Sequence, residues 1–231
     1  MRSSLRAATL LAAALVAAAT VRVEAAAETP CADFGAVVDG TTCRLHTAND
    51  AYMVDMAYPN DYADPAPLID YLRQTRDGFV NVSGMPGSTG LPYALDITSE
   101  SFHSGPPPGG TQSTALKIYQ NVGGPHPLTW YKAFNYNLST HQPITFDTLF
   151  LPGSNPLAVI LPALQKAVDT QLGSHVTISD GLNPSHYQNF ALTDDELILY
   201  LSQGDMLPSA AGALAVHLPR ALVAPMLAPL G

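Results

Sequence analysis

"STALKIYQNVGGPHPLTWYKAFNYN", from Ser113 to Asn137, holds two strand-forming runs on either side of Gly123-Gly124-Pro125-His126-Pro127. On the second run Leu128, Trp130, Phe134 and Tyr136 fall on one side of a pleat, and Lys132 interrupts them. Strand side chains alternate between two faces, so this spacing predicts a half-buried strand. Glycine reaches positive φ and proline stiffens a turn, so the two runs read as one hairpin. The imidazole wedged between two prolines at its tip is either a well-made turn or a base held in place.

Working outward, "MVDMAY" (Met53 to Tyr58) and "YALDITSESF" (Tyr93 to Phe102) read as strands. Between them Leu68, Leu72 and Phe79 share a helical face with Ile69 and Arg76. Asp64 is placed as the N-cap of that helix, with Pro65 and Pro67 in the first turn, where proline is tolerated. "GMPGSTGLP" ends it. A second helix is predicted from Pro156 to Gly173, with Leu157, Leu161, Leu164, Val168 and Leu172 at helical spacing and glycine as the stop. "NFALT" and "ELILYLS" flank Asp194-Asp195 as another hairpin, and a strand from Ala213 to Leu218 and a helical turn near Arg220 to Leu227 follow. Hairpins and helices do not alternate strictly. The expected class is therefore α+β, a largely antiparallel sheet with two main helices.

The first residues carry Arg2 and Arg6, then an apolar run from Ala7 to Ala19, then small-residue cleavage sites. That order is a secretory signal peptide, read as residues 1–25. Residues 26–231 are then a single exported domain, with no membrane span expected. Cleavage would leave seven basic and eighteen acidic residues, moving the net charge from −9 to −11. Such a chain repels phosphate backbones, so nucleic acid is not an expected partner. Only Cys31 and Cys43 are present. In an exported chain they read as a disulfide, and a metal site is the weaker reading because no second ligand pair accompanies them.

The chemical motifs are incomplete. No G-x-S-x-G elbow exists; "PGSTG" (Pro86 to Gly90) comes close but follows a helix. "GDML" (Gly204 to Leu207) has Met206 where a GDSL-type serine would stand, and H-E-x-x-H is absent. No metal or cofactor is implied. His126 is the sharpest candidate for a general base, since imidazole titrates near neutral pH. Among the serines Ser99, Ser101 and Ser104 end the strand before the proline loop, where nucleophiles sit, and Ser104 is taken as the candidate. Asp147, in "FDTLF", could orient a histidine or cap a short helix. The other histidines, His103, His141, His175, His186 and His217, look isolated. Trp130 and Tyr131 point to opposite sheet faces; either could stack on a ligand, and either could be core.

Several segments together, "YPNDYADPAPLIDYLRQTRDGFVNV", "LKIYQNVGGPHPLTWYKAFNYNL", "PITFDTLF" and "HYQNFALTDDELILYLSQGDMLP", resemble one family. The chain is similar to the secreted mycobacterial immunogenic proteins, which include a cell-wall-associated esterase-like branch. More distantly it resembles the extracellular part of the RsiV-type lysozyme-sensing anti-sigma factors. The resemblance implies a β-grasp-like sheet crossed by a helix, and export to the cell wall or medium. It implies two functions: a carboxylesterase on short acyl esters, or a non-catalytic module that binds an extracellular protein or glycan. The Gly-Gly-x-His turn occurs in members that bind as well as in the esterase-like branch. The esterase expectation pairs His126 with Ser104 and Asp147.

Overall fold

In the computed structural model, residues 30–230 are described, so residues 1–25, read from the sequence as a signal peptide, lie outside them. Helix α1 (Pro65–Ser83) starts at Asp64, as its prolines require, although the Asp64 side chain makes no capping bond. The helix connects β3 (Tyr52–Pro59) to β4 (Tyr93–Ser104), which pair in parallel. A parallel pair needs such a crossover, because a tight turn cannot return the chain in the same direction. Every other neighbour in the seven-stranded sheet is antiparallel. The order follows the chain: β1 (Val37–Asp39), β2 (Thr42–Ala48), β3, β4, β5 (Thr111–Asn121), β6 (Leu128–Asn137) and β7 (Gln142–Pro143).

Alternation assigns the faces. On one face Val54, Met56, Tyr58, Leu95, Ile97, Leu116 and Ile118 pack under Leu68, Ile69, Leu72 and Phe79 of α1. On the other, Ala115, Tyr131 and Ala133 meet Ala191, Ile198 and Tyr200. Those last three belong to a separate antiparallel sheet of β8 (Phe190–Leu192), β9 (Glu196–Leu201) and β10 (Leu214–Pro219), in the order β10-β9-β8. Its outer face carries Leu197, Leu199, Leu201, Val216 and Leu218 under Ile160, Leu164 and Val168 of α3 (Leu157–Leu172). The layers thus run α1, large sheet, small sheet, α3. Strand β9 is covered on both faces, which explains why "LILYL" is continuously apolar rather than alternating.

The α+β class and the largely antiparallel sheet agree with the sequence reading, and α2 (Phe146–Leu149) adds one turn held by a Thr145–Thr148 capping box. The last helical turn is instead two 3-10 turns, 220–222 and 224–226. Cys31 and Cys43 are bridged, with Cα atoms 5.1 Å apart, and both are buried beside Phe34 and Tyr58.

Candidate functional site

The β4–β5–β6 register decides the fate of the expected triad. Ser104 pairs with Thr111 at the start of β5, whereas Gln120 pairs with Leu128 beside the turn that holds His126. Nine strand steps, Thr111 to Gln120, separate the two ends, roughly 30 Å at ~3.3 Å per residue. Ser104 and His126 therefore do not form a dyad. Asp147 is in a third place: it is exposed on α2, at the rim of a groove with Phe150, Leu157 and Leu182.

Each position has its own local role. Ser104 is only 4% exposed, and its Oγ accepts a hydrogen bond from Arg220 Nη1. The same Nη1 donates to the Thr193 carbonyl at 2.8 Å, and Asp194 Oδ1 accepts from the Gly105 N–H at 2.7 Å. These bonds clamp the β4–β5 connection to the β8–β9 turn. The hydroxyl is committed to structure and not presented to solvent. Arg220→Met leaves a buried hydroxyl and a carbonyl without their donor. We expect a loss of about 1–3 kcal/mol, read as a melting temperature lower by roughly 3–10 °C. An unchanged melting temperature would show that the clamp carries no stability.

His126 is exposed on its turn. The turn is shaped by packing: Gly123 has φ +73°, and a Cβ there would sit 2.5 Å from the Thr89 carbonyl oxygen. The "PGSTG" loop therefore presses on the hairpin tip. Its Ser88 Oγ donates to the Val82 and Met85 carbonyls, closing the C-terminus of α1. Trp130 donates its indole N–H to the Tyr71 hydroxyl at 2.7 Å and lies against the α1 side of the sheet. It serves packing. Three of the supposedly isolated histidines have carboxylate partners: His175 with Asp169, His217 with Glu196, and His186 between Asp180 and Asp205. Asp205 is the aspartate of the "GDML" stretch. The hydrogen bond from His175 holds the Asp169 carboxyl below its usual range; Asn183, then His186, does the same for Asp180.

Tyr131 is the candidate that the fold places in a cavity. Its ring lies 4.9 Å from that of Tyr200, tilted by 40°, where the two sheets face each other. Thr98, Ser99, Glu100, Ala115 and Lys117 from the large sheet and Ala215 from β10 complete the lining of a space of about 100 Å³. The register explains the grouping: Thr98 is opposite Lys117, Lys117 opposite Tyr131, and Tyr200 opposite Ala215. Glu100 and Lys117 are exposed at the mouth, while Tyr200 is 2% exposed. The Tyr200 Oη has no hydrogen-bond partner among the described residues. Burial pushes the Tyr200 phenol upward, and Glu100 and then Tyr131 add to the shift; burial followed by Glu100 does the same to Tyr131. Both hydroxyls are therefore neutral donors at physiological pH. The sequence does show Lys117 inside an apolar run and Glu100 on the same polar face of β4 as Asp96 and Thr98. Pairing those positions with Tyr200 requires knowing that a second sheet lies opposite.

Two stacked sheets enclosing a small polar cavity, with one helix on each outer side, define the structural class. Residues 147–221 match the family described as "Protein of unknown function (DUF3298)". A crystal structure of a DUF3298 family protein from Pseudomonas aeruginosa shares the fold, with a TM-score of 0.53 at 14% identity over 81% of this chain and 94% of that one. Within that class the sequence is 50% identical over 218 residues to Esterase Rv3036c of Mycobacterium tuberculosis, covering 93% of this chain and 96% of the relative. It is 40% identical over 206 residues to Immunogenic protein MPB64 of Mycobacterium bovis, covering 88% of this chain and 90% of the relative. The chain belongs to this family of mycobacterial esterase and immunogenic proteins.

Proposed function

We propose that the protein is an exported esterase acting on short-chain acyl esters, built as one domain over residues 26–231 behind a cleaved signal segment. The observation that carries this reading is the 50% identity to a protein named an esterase along nearly the whole of both chains. Release to the medium or the cell wall fits the bridged Cys31–Cys43 pair, which oxidising surroundings favour. No helix among the described residues is long and apolar enough to cross a membrane. The catalytic roles first assigned to Ser104, His126 and Asp147 do not combine into one site. Of the aromatic candidates, Tyr131 is the one we place against substrate.

A second reading is favoured by that same separation: a non-catalytic extracellular module that binds a protein or glycan, in keeping with relatives named for immunogenicity. Hydrolysis of p-nitrophenyl acetate and butyrate by the purified, oxidised mature protein separates the two. We expect turnover above the buffer rate that survives Ser104→Ala and Asp147→Asn, and also His126→Ala. Absence of turnover in folded protein would leave the binding module. Abolition by His126→Ala with an unchanged melting temperature would return catalysis to the hairpin turn.

A further inference from the structure

Strand β10 is an edge of the small sheet, and the hydrogen bonding shows which of its main-chain groups that leaves open. The Thr193 N–H donates to the Glu196 carbonyl and the Tyr200 N–H to the Asn189 carbonyl, so Glu196, Ile198 and Tyr200 turn their backbone toward β8. The Arg220 N–H donates to the Asp195 carbonyl, so Asp195, Leu197, Leu199 and Leu201 turn theirs toward β10. Backbone direction alternates along an antiparallel ladder. Leu218, Val216 and Leu214 face those leucines, and Ala215, His217 and Pro219 therefore direct their backbone groups away from the sheet. Two N–H groups, at Ala215 and His217, and the carbonyls beside them have no partner among the described residues. Pro219 brings no donor and ends the edge. Helix α3 runs beside this edge and leaves a groove of about 730 Å³. Ala163, Ala167 and Leu222 give it apolar surface, and Leu222 is 40% exposed. Lys166 is exposed in the lining, which contains no carboxylate. Glu196, the partner of His217, alternates with Ile198 and Tyr200 and so belongs to the other face of β9. Donors and acceptors at strand spacing match the backbone of a second extended chain. The alanines leave room for its side chains, and Lys166 selects a carboxylate among them.

We propose that the groove between β10 and α3 docks an extended, acidic peptide segment of another protein, which adds to the three-stranded sheet as a fourth strand. Its backbone pairs with Ala215 and His217, small apolar side chains lie against Ala163 and Ala167, and a carboxylate sits beside Lys166. The proposal goes beyond ester hydrolysis and holds whether or not the chain is an enzyme. The probes are two end-blocked hexapeptides of alternating valine and threonine, one with a central glutamate and one with a central lysine. Each is titrated into the isotope-labelled, oxidised mature protein, with amide shifts, amide exchange and the melting temperature as readouts.

With the glutamate peptide we expect the Ala215 and His217 amide signals to move and their exchange to slow. The lysine peptide should bind about fivefold more weakly, the effect of one exposed charge pair. Lys166→Glu should reverse that preference at an unchanged melting temperature. Ala215→Pro removes an outward N–H that the β9–β10 ladder does not use, at an edge position where proline is tolerated. It should weaken both peptides about 3–10-fold, the loss of one hydrogen bond. Ala167→Phe fills the groove from the helix side and should give a similar loss, which keeps the test intact if Ala215→Pro does not fold. No amide shift in β10 at millimolar glutamate peptide would overturn the proposal. So would shifts confined to residues away from β10 and α3, or binding that Ala167→Phe leaves unchanged. Slowed exchange at Ala215 and His217 that grows with protein concentration, without peptide, would overturn it in favour of pairing between two copies of this chain.

Discussion

We expect the protein to unfold cooperatively between roughly pH 10 and 12, with loss of far-ultraviolet circular dichroism coinciding with the rise of tyrosinate absorbance. The cause is a set of phenols that the fold holds away from water. Burial pushes Tyr58, Tyr62 and Tyr200 above the usual tyrosine range, helped by the charges of Asp33, Asp64 and Glu100 respectively. Burial alone pushes Tyr187 up to about 12. Tyr71 and Tyr131 are raised by the same cause. Below pH ~10 these phenols are neutral in both folded and unfolded chains, so their contribution to stability is intact. As the pH rises toward the folded-state values, only the unfolded chain can ionise them, and the contribution drains away. Each loses ~2 kcal/mol by pH 12, so the four largest reach the order of 5–10 kcal/mol, comparable with the whole stability of an ordinary domain. Smooth one-by-one titration of all tyrosines, with circular dichroism unchanged to pH 12, would contradict this.

Opening the Cys31–Cys43 bridge has the next largest effect. The bridge closes a loop across a separation of 12 residues. On the chain-entropy account its loss costs about 3 kcal/mol. Both sulfurs lie in the α1-side core with Phe34 and Tyr58, so the double substitution Cys31→Ala and Cys43→Ala also trims buried packing. Urea denaturation of that variant should show a lower midpoint with little change in slope. An unchanged midpoint would mean that the segment before β2 is held without the bridge. A changed slope would point to altered compactness of the unfolded chain.

Periodicity exposed most of the elements and few of their relations. The β5–β6 hairpin was readable because alternating apolar residues flank a Gly-Gly turn. Both main helices showed 3.6-residue spacing and, at Gly173, a left-handed stop with φ +68°. The β1–β2 hairpin was not read, although Asp39-Gly40 at its turn is a strong local signal. Val37 and Val38 are 71% and 52% exposed, so the strand lacks the apolar face that alternation detects. Parallel pairing of β3 with β4 leaves no mark on either strand's pattern, because periodicity carries no direction. The second sheet was hidden for a similar reason. "NFALT" and "ELILYL" read as strands in either arrangement, and only the alanines at 115, 133, 191 and 215 hint at a close face-to-face seam.

The failed triad has a topological cause. When β4 and β5 are antiparallel neighbours, the end of β4 lies beside the beginning of β5. The β5–β6 turn lies at the opposite end. A serine closing β4 can therefore never meet a histidine in that turn within one chain. The site candidate with a cavity, Tyr131, was visible only as half of a pair, since its partner Tyr200 comes from another sheet.

The clamp on Ser104 joins residues 116 positions apart in the chain. Closing a loop of that length costs roughly 4 kcal/mol in chain entropy, a debt that contacts within β4, β5 and β6 cannot settle. A chain emerging amino end first can assemble α1 over the large sheet early. The opposite face of that sheet, with Ala115, Tyr131 and Ala133, stays wet until Arg220 arrives with the β8–β10 layer. The face that forms the cavity is therefore covered only by residues that come after all seven strands of the large sheet.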